Sequence, residues 1–179
     1  ERPQYMFARV ACAIFLDDID NAIEYYNTLS NLECTHGSPT LFNAGLPIQN
    51  LSSCFLLGTE DSIEGIFETL KSCAVISKSG GGIAIDFSVV RSAGSPIRGT
   101  NGHSDGIIPA IKVYSETSCY VNQSGRRNGS FAVYLPDWHA DVMEFLELKK
   151  NQGKEQDRAR KIFGGLWTSD EFMQCVEKG

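Results

Sequence analysis

The alternation of short apolar strands with amphipathic helical segments is the feature that most constrains the fold of this chain. Apolar residues occupy every second position over residues 83–87 and again over 131–135, a period typical of strands. The segment Ile162 to Trp167 is a third strand candidate. Strands separated by helices favour a parallel sheet with helical crossovers, so we expect an α/β fold.

The helices are inferred from apolar residues at helical spacing and from residues that favour a helix start. Asp61, followed three residues later by Glu64, resembles a capping box. Helices are predicted over Asp17–Leu32, from Asp61 to Lys78, over Ile107–Thr117, and after the start signals Asp137 and Thr168. The long segments between, 35–54 and 89–105, are rich in Gly, Pro, Ser and Asn and predict irregular connections, which are often functional.

Charge and hydropathy exclude several classes of protein. Lys and Arg total 16 and Asp and Glu total 22, a net charge of −6. This acidity argues against a nucleic-acid or anionic-membrane surface. The favoured interpretation of the charged run at 148–160 is therefore a solvated helical face. No apolar run is long enough to span a membrane, so we expect neither membrane association nor secretion, and a cytoplasmic location.

The cysteines and histidines show no metal-site spacing. The six cysteines are scattered without a CxxC pair, and the three histidines lie far apart, so no metal site is expected. A chain of this size does not need disulfides for stability. If a cysteine matters chemically, we expect it to be a single reactive thiol, while the others are buried apolar residues.

Several long motifs, in consistent order, resemble the large, catalytic subunit of class I ribonucleotide reductases. They are SPTLFNAGLPIQNLSSC (38–54), DSIEGIFETLKSCAVISKSGGGI (61–83), GTNGHSDG (99–106), and the stretch from Phe131 to Phe172, with LELKKNQGKEQDRAR inside it. The similarity runs nearly from end to end of the chain. The barrel, the activity, the partners and the site residues are implied by this resemblance alone, whereas periodicity and composition support only the α/β class.

The resemblance implies that residues 1–179 are the N-terminal portion of a ten-stranded α/β barrel, with the effector-site helices and specificity loops. The Asn-Leu-Cys-x-Glu segment that carries the family's radical cysteine is not found in this sequence. Three predicted strands also cannot close such a barrel. We therefore expect a fragment with an incomplete barrel, which does not catalyse the family's reaction by itself.

The family reduces ribonucleoside diphosphates to deoxyribonucleotides by radical chemistry, and a cysteine pair supplies the electrons. The resemblance therefore implies a homodimer of large subunits, deoxynucleoside triphosphate or ATP effectors, and a metal-containing small subunit that generates the radical. Thioredoxin or glutaredoxin is the implied external reductant. Two alternatives remain open: a catalytically inactive nucleotide-binding and dimerisation module, or an adenosylcobalamin-dependent reductase that shares the barrel.

Matching motifs assign roles to individual residues. Cys54 corresponds to one member of the redox pair, whose partner lies outside this chain. Substrate-binding roles are implied for Ser38, Ser53, Gly82, Gln123 and Arg127. Effector-binding roles are implied for Asp61, Ser62, Lys78, Arg91, Ile97 and Gly99. Lysine and arginine suit a triphosphate, and an acid or hydroxyl at a helix start suits a sugar or base edge.

The segment 122–129 corresponds to the family's substrate-specificity loop. It is one residue shorter than the family pattern, so Arg126 and Arg127 both remain candidates for the arginine that contacts the base. Gln123 aligns without a gap. The polar, glycine-containing composition of segment 122–129 fits a loop that changes shape with the effector.

Overall fold

The computed structural model describes residues 1–47, 50–121, 130–155 and 158–179. The helices within them are α1 (Pro3–Phe15), α2 (Ile19–Ser30), α3 (Ser38–Asn43), α4 (Ile63–Lys78), α5 (Ile107–Val121), α6 (Val142–Glu147) and α7 (Asp170–Lys178). The strands are β1 (Cys54–Gly58), β2 (Gly82–Asp86), β3 (Ala93–Ile97), β4 (Gly102–Asp105), β5 (Phe131–Pro136) and β6 (Ile162–Trp167). The chain divides into two compact units, Glu1–Ser53 and Cys54–Gly179.

The first unit is helical and has a small core of its own. Val10, Leu29 and Ala44 are buried together in it. The Arg9 guanidinium donates to the carbonyl oxygens of Leu41, at 2.8 Å, and of Ala44. These bonds satisfy carbonyl groups at the end of α3, where the helix itself offers no donors. These bonds from Arg9 help to stabilise α3, which has only six residues.

The second unit contains a four-stranded sheet in the order β1-β2-β5-β6, and every pair is parallel. Helix α4 connects β1 to β2, and α5 lies between β2 and β5 in the chain, as crossovers in a parallel sheet require. The apolar side chains of β2 and β5 pack against α5 and form the core. Its fully buried members include Ile85, Phe87, Ile107, Ile111, Tyr114, Phe131, Val133 and Leu135.

A two-stranded antiparallel sheet, β3 paired with β4, follows β2. It occupies the segment 89–105, where the sequence predicts an irregular connection. That prediction is wrong because glycine and proline mask the strand pattern: Pro96 and Gly94 lie within β3 itself. Both strands lie at an edge, where proline and glycine are tolerated.

The α/β class, the parallel sheet and the three predicted strands are confirmed. The predicted helix at Asp17–Leu32 is observed as α2, and that at Ile107–Thr117 as α5. A fourth parallel strand, β1, was not predicted, since its residues CFLLG form a short apolar run without alternation. The connection predicted over 35–54 likewise contains α3.

Three predicted helix starts and one predicted helix are wrong in detail. Ser62, and not Asp61, caps α4, and Ser169, and not Thr168, caps α7. The Asp137 carboxylate accepts hydrogen bonds from Ser169 and does not cap α6. Helix α6 ends at Glu147, and no α-helix includes the described residues 148–155 and 158–160, so a helical face is not observed in that part of the charged run.

Candidate functional site

A cleft of about 610 Å³ opens in the second unit between the start of α4, helix α5 and the β3–β4 sheet. This volume lies within the range that small-molecule sites usually occupy. Its lining residues are Asp61, Ser62, Ile63, Glu64, Ile66, Phe67, Leu70, Val90, Arg91, Ile97, Arg98, His103, Ser104, Asp105, Gly106, Pro109, Ala110, Val113 and Tyr114. Most of these residues are apolar, and the charged ones are Asp61, Glu64, Arg91, Arg98 and Asp105.

Asp61 and Arg91 form an ion pair in the cleft. The Arg91 Nε lies 2.9 Å from Asp61 Oδ2 and 3.0 Å from Oδ1, and the Arg91 backbone N–H donates to Oδ1 at 3.1 Å. The guanidinium also donates to the Pro96 carbonyl at 3.3 Å. Arg91 therefore connects the start of α4 to strand β3.

Each member of this ion pair shifts the pKa of the other. Partial burial by itself would raise the pKa of Asp61, but hydrogen bonds from the Arg91 side chain and backbone, with the guanidinium charge, hold it below its ordinary value. The hydrogen bond and charge of Asp61 raise the pKa of Arg91. Both groups are therefore ionised at neutral pH.

Arg98 is a site residue that the sequence analysis missed. It lines the cleft and also an adjoining cavity of about 450 Å³, together with Asp61, Arg91 and Ile97. Within the described residues, no hydrogen bond or ion pair engages its exposed guanidinium. Its position beside Ile97 and Gly99, both candidate effector residues, is the sequence signal that could have identified it.

The remaining effector candidates separate into two groups. Ser62 caps α4 at the cleft, its side chain accepting from Gly65 N–H at 3.0 Å, and Ile97 lines both cavities. Gly99 lies in the turn between β3 and β4, with a φ of +98° that favours glycine, and lines neither cavity. Lys78 ends the 16-residue helix α4, about 22 Å from its start. Lys78 therefore does not reach the cleft of its own chain.

The redox candidate lies at the opposite end of the sheet. Cys54 is the first residue of β1 and is paired in register with Gly82, the first residue of β2. Because β1 and β2 run parallel, these two residues lie at the same, N-terminal end of the strands. The cleft lies beyond the C-terminal ends, and the length of β1 alone separates the two ends by about 13 Å.

Two substrate candidates belong to the first unit. Ser38 begins α3, and a Cβ placed on the preceding residue, Gly37, would lie 2.9 Å from Ser53 Oγ. Thr40 Oγ1 of the same helix donates to the Leu51 carbonyl at 3.0 Å. Ser38 and Ser53 are therefore neighbours within this unit. Gly82 lies on β2 beside Cys54. The remaining substrate candidates, Gln123 and Arg127, and the alternative Arg126, lie outside the described residues.

The six cysteines, all in the described part of the chain, do not share one environment. Cys73 is buried, whereas Cys12, Cys34, Cys54, Cys119 and Cys175 are exposed. The expectation that every cysteine except Cys54 is a buried apolar residue is therefore wrong for four of them. Across the same described residues, no group of three His, Cys, Asp or Glu side chains could hold a metal ion.

Comparison with known proteins decides the family. A model described as the ribonucleotide reductase barrel domain matches residues 52–179, and one described as the ribonucleotide reductase all-alpha domain matches residues 1–49. The chain belongs to the ribonucleotide reductase large-subunit family. The two models meet close to the division between the structural units at Ser53 and Cys54. The assignment of the whole span 1–179 to the barrel domain stays a prediction.

Two relatives of this reductase chain are similar to it along almost its whole length. It is 58% identical to the ribonucleoside-diphosphate reductase large subunit of Arabidopsis thaliana over 179 residues, which are 99% of this chain and 22% of that protein. It is 57% identical to the large chain of Schizosaccharomyces pombe over 180 residues, again 99% of this chain and 22% of the relative. The chain thus spans about a fifth of the length of these relatives, and it forms only part of a reductase barrel.

Among the described residues of this reductase chain, no helix is both long enough and apolar enough to cross a membrane.

Proposed function

We propose that this chain is part of a ribonucleoside-diphosphate reductase large subunit and that its cleft binds the deoxynucleoside triphosphate effector. The observation that carries the proposal is the cleft itself, whose apolar wall also holds Arg91 and Arg98 beside the acids Asp61, Glu64 and Asp105. A nucleotide offers the complementary chemistry: an apolar base, a hydroxylated sugar and an anionic triphosphate. The family membership and the names of the relatives support the same assignment.

The charges within the cleft divide the roles among its residues. Arg91 is already paired with Asp61, so its charge is partly compensated. Arg98 has an exposed guanidinium that no other group in the described residues engages, which leaves it available to triphosphate oxygens. Ser62 and Asp61, at the start of α4, face the cleft and suit the sugar or base. Arginine suits phosphate because its planar donors bind two oxygens at once.

A second copy of the chain completes this arrangement. Lys78 can reach such a cleft only from another protomer, because α4 carries it away from the cleft of its own chain. Ile63, Phe67 and Val113, on α4 and α5, line the cleft and are exposed apolar residues that suit such a contact. We therefore assign Lys78 to the effector site of a homodimer. We assign Gly99 to the same site, as part of the turn between β3 and β4.

Away from the cleft, we assign Cys54 to the redox pair and Ser38, Ser53, Gly82, Gln123 and Arg127 to the ribonucleoside diphosphate. Cys54 is exposed and stands beside Gly82, whose lack of a side chain leaves room for a ligand. Oxidation of two thiols to a disulfide would supply the two electrons that reduce the sugar. A radical-generating small subunit, a thioredoxin-type reductant and a cytoplasmic location complete the proposal.

Substitution of Arg91 tests the assignment. In the full-length protein that carries this sequence, Arg91→Ala should weaken binding of deoxythymidine triphosphate by about 1.5–3 kcal/mol, since a charge-assisted phosphate contact is lost. This corresponds to a dissociation constant at least tenfold higher, measured by equilibrium dialysis with labelled nucleotide.

Arg160→Ala is the matched control. Arg160 also pairs with a carboxylate, Glu155, at 2.9 Å, but it does not line the cleft. Its removal should leave the dissociation constant unchanged. Equal affinity of wild type and Arg91→Ala, or equal losses in the two variants, would contradict the proposed effector site.

A further inference from the structure

Two buried polar residues, His139 and Asp141, lie behind the cleft without lining it. Their side chains are 5% and 6% exposed. They belong to the turn that follows β5, and the function proposed above assigns them no role. Buried polar groups are costly unless they are fully hydrogen-bonded, so their partners indicate what they do.

His139 holds the segment that leads into Arg91. Its Nε2 lies 2.8 Å from the Val90 carbonyl oxygen, and its Nδ1 lies 3.1 Å from the Asp141 backbone nitrogen. A carbonyl only accepts and a backbone N–H only donates, so the ring is the tautomer with its proton on Nε2. The imidazole therefore anchors the residue immediately before Arg91.

Asp141 holds the same segment from the other side. Its Oδ1 and Oδ2 accept from the Ala93 backbone N–H at 3.0 and 3.2 Å, and Oδ2 also accepts from Ile107 N–H at 3.1 Å. Although Asp141 stands at the N-cap of α6, its side chain makes no capping bond there. It caps α5 instead, where a carboxylate compensates the unpaired N–H groups of the first turn.

Gly106 shows how closely these parts approach one another. A Cβ at this position would lie 2.4 Å from Asp141 Oδ2 and 2.8 Å from the Ala93 nitrogen. Its φ of +79° also disfavours other residues. Gly106 lines the cleft, so the carboxylate lies directly behind the cleft wall.

We propose that His139 and Asp141 are positioning residues of the effector site: they hold Arg91 between two anchors, at Val90 and Ala93, and fix it relative to α5. This inference rests on the proposed effector site and goes further, because it makes nucleotide affinity depend on residues that do not touch the nucleotide. With both anchors in place, Arg91 is oriented before the ligand arrives. Loss of one anchor means that ligand binding itself must order the arginine.

Asp141→Asn in the full-length protein tests the proposal. An amide keeps one accepting oxygen, but its NH₂ group faces a backbone N–H where Oδ1 or Oδ2 accepted a bond. We expect the dissociation constant of deoxythymidine triphosphate to rise about tenfold, the effect of one lost charge-assisted hydrogen bond.

The matched control is Asp137→Asn, in the same turn. The Asp137 carboxylate also accepts two hydrogen bonds, from Ser169 N–H at 2.8 Å and Ser169 Oγ at 2.9 Å, but these hold the start of α7. A purely structural role for Asp141 predicts equal effects of the two variants on nucleotide binding. Our proposal predicts less than a twofold change for Asp137→Asn.

A double variant tests whether Asp141 acts through Arg91. In the Arg91→Ala background, Asp141→Asn should no longer alter nucleotide affinity, because the group that it positions is absent. Additive effects of the two substitutions would overturn the proposal. So would unchanged affinity in a folded Asp141→Asn protein. If Arg91→Ala itself binds normally, the proposed effector site fails, and this inference with it.

Should Asp141→Asn lose its cooperative melting transition, two His139 variants provide the test. Gln reaches the Val90 carbonyl with its NH₂ group, whereas the shorter Asn does not and keeps only the acceptor near the Nδ1 position. We expect His139→Asn to weaken nucleotide binding severalfold and His139→Gln to retain more of the affinity. Equal affinities of these variants and the wild type would overturn the proposal.

Discussion

The Cys73 side chain lies in the core of the second unit and is fully buried. Burial raises the pKa of its thiol to about 12, since a thiolate is poorly solvated there. Cys54, on the edge strand β1, is exposed. The thiolate is the nucleophile in alkylation and in disulfide exchange, so the two cysteines should react very differently.

Alkylation measures this difference. In native protein at pH 8, iodoacetamide should label Cys12, Cys34, Cys54, Cys119 and Cys175 where no other subunit covers them. Cys73 should remain unlabelled, because only about one thiol in ten thousand is ionised four pH units below its pKa. Peptide mass spectrometry reads the result. Labelling of Cys73 in urea is the control, and native labelling of Cys73 at the rate of Cys54 would contradict its burial.

At the scale of elements, the junction of α4 with β2 determines where Gly82 meets Cys54. Gly81 lies in this junction, and a Cβ there would come within 2.7 Å of Ile76 Cγ2 on α4 and 2.8 Å of Phe55 Cε2 on β1. Real Cβ atoms do not approach other atoms so closely. The glycine therefore allows helix, strand and junction to pack together.

Gly81→Ala should accordingly destabilise the protein by about 1–3 kcal/mol, as overpacking does elsewhere. The midpoint of urea unfolding, followed by circular dichroism, measures the change. Gly58→Ala is the matched control on the neighbouring strand, because a Cβ at Gly58 meets nothing within 4 Å. We expect its effect to stay within about 0.5 kcal/mol. Equal effects at the two positions would show that close packing is not the reason for glycine at 81.

At the scale of the whole molecule, the cleft and Cys54 lie at opposite ends of the same parallel strands. The proposed effector binding and the proposed redox chemistry should therefore be separable by mutation, although both sites adjoin one sheet. The family resemblance places the second redox thiol outside this chain.

Cys54→Ser in the full-length protein should abolish multiple turnover and leave the dissociation constant of deoxythymidine triphosphate unchanged. Wild-type protein given substrate without an external reductant should accumulate a disulfide between Cys54 and a cysteine beyond these 179 residues. Peptide mapping identifies it. A link from Cys54 to one of the other five cysteines of this chain, or a reduced Cys54 after turnover, would show that the redox assignment is wrong.

Sequence patterns were enough to predict the α/β class, the parallel sheet and most of the helices. These depend on local periodicity, which needs no knowledge of distant residues: β6 begins at Ile162 and ends at Trp167, as the pattern predicts. The motifs also determined the family, and they identified Asp61 and Arg91 as candidates for one site. Strands β1 and β3 were not predicted, because CFLLG does not alternate and AGSPI contains glycine and proline.

Which of these residues lie in contact depends on how the folded chain packs. Asp61, which has the sequence signal of a helix cap, instead binds Arg91, 30 residues away. Lys78 lies at the end of α4 that is far from the cleft, whereas Arg98 lines the cleft. Asp141 caps α5, a helix that begins 34 residues earlier in the chain. A carboxylate's local partners and its distant ones are chemically alike, so only the packing of the chain determines which backbone N–H or guanidinium it binds.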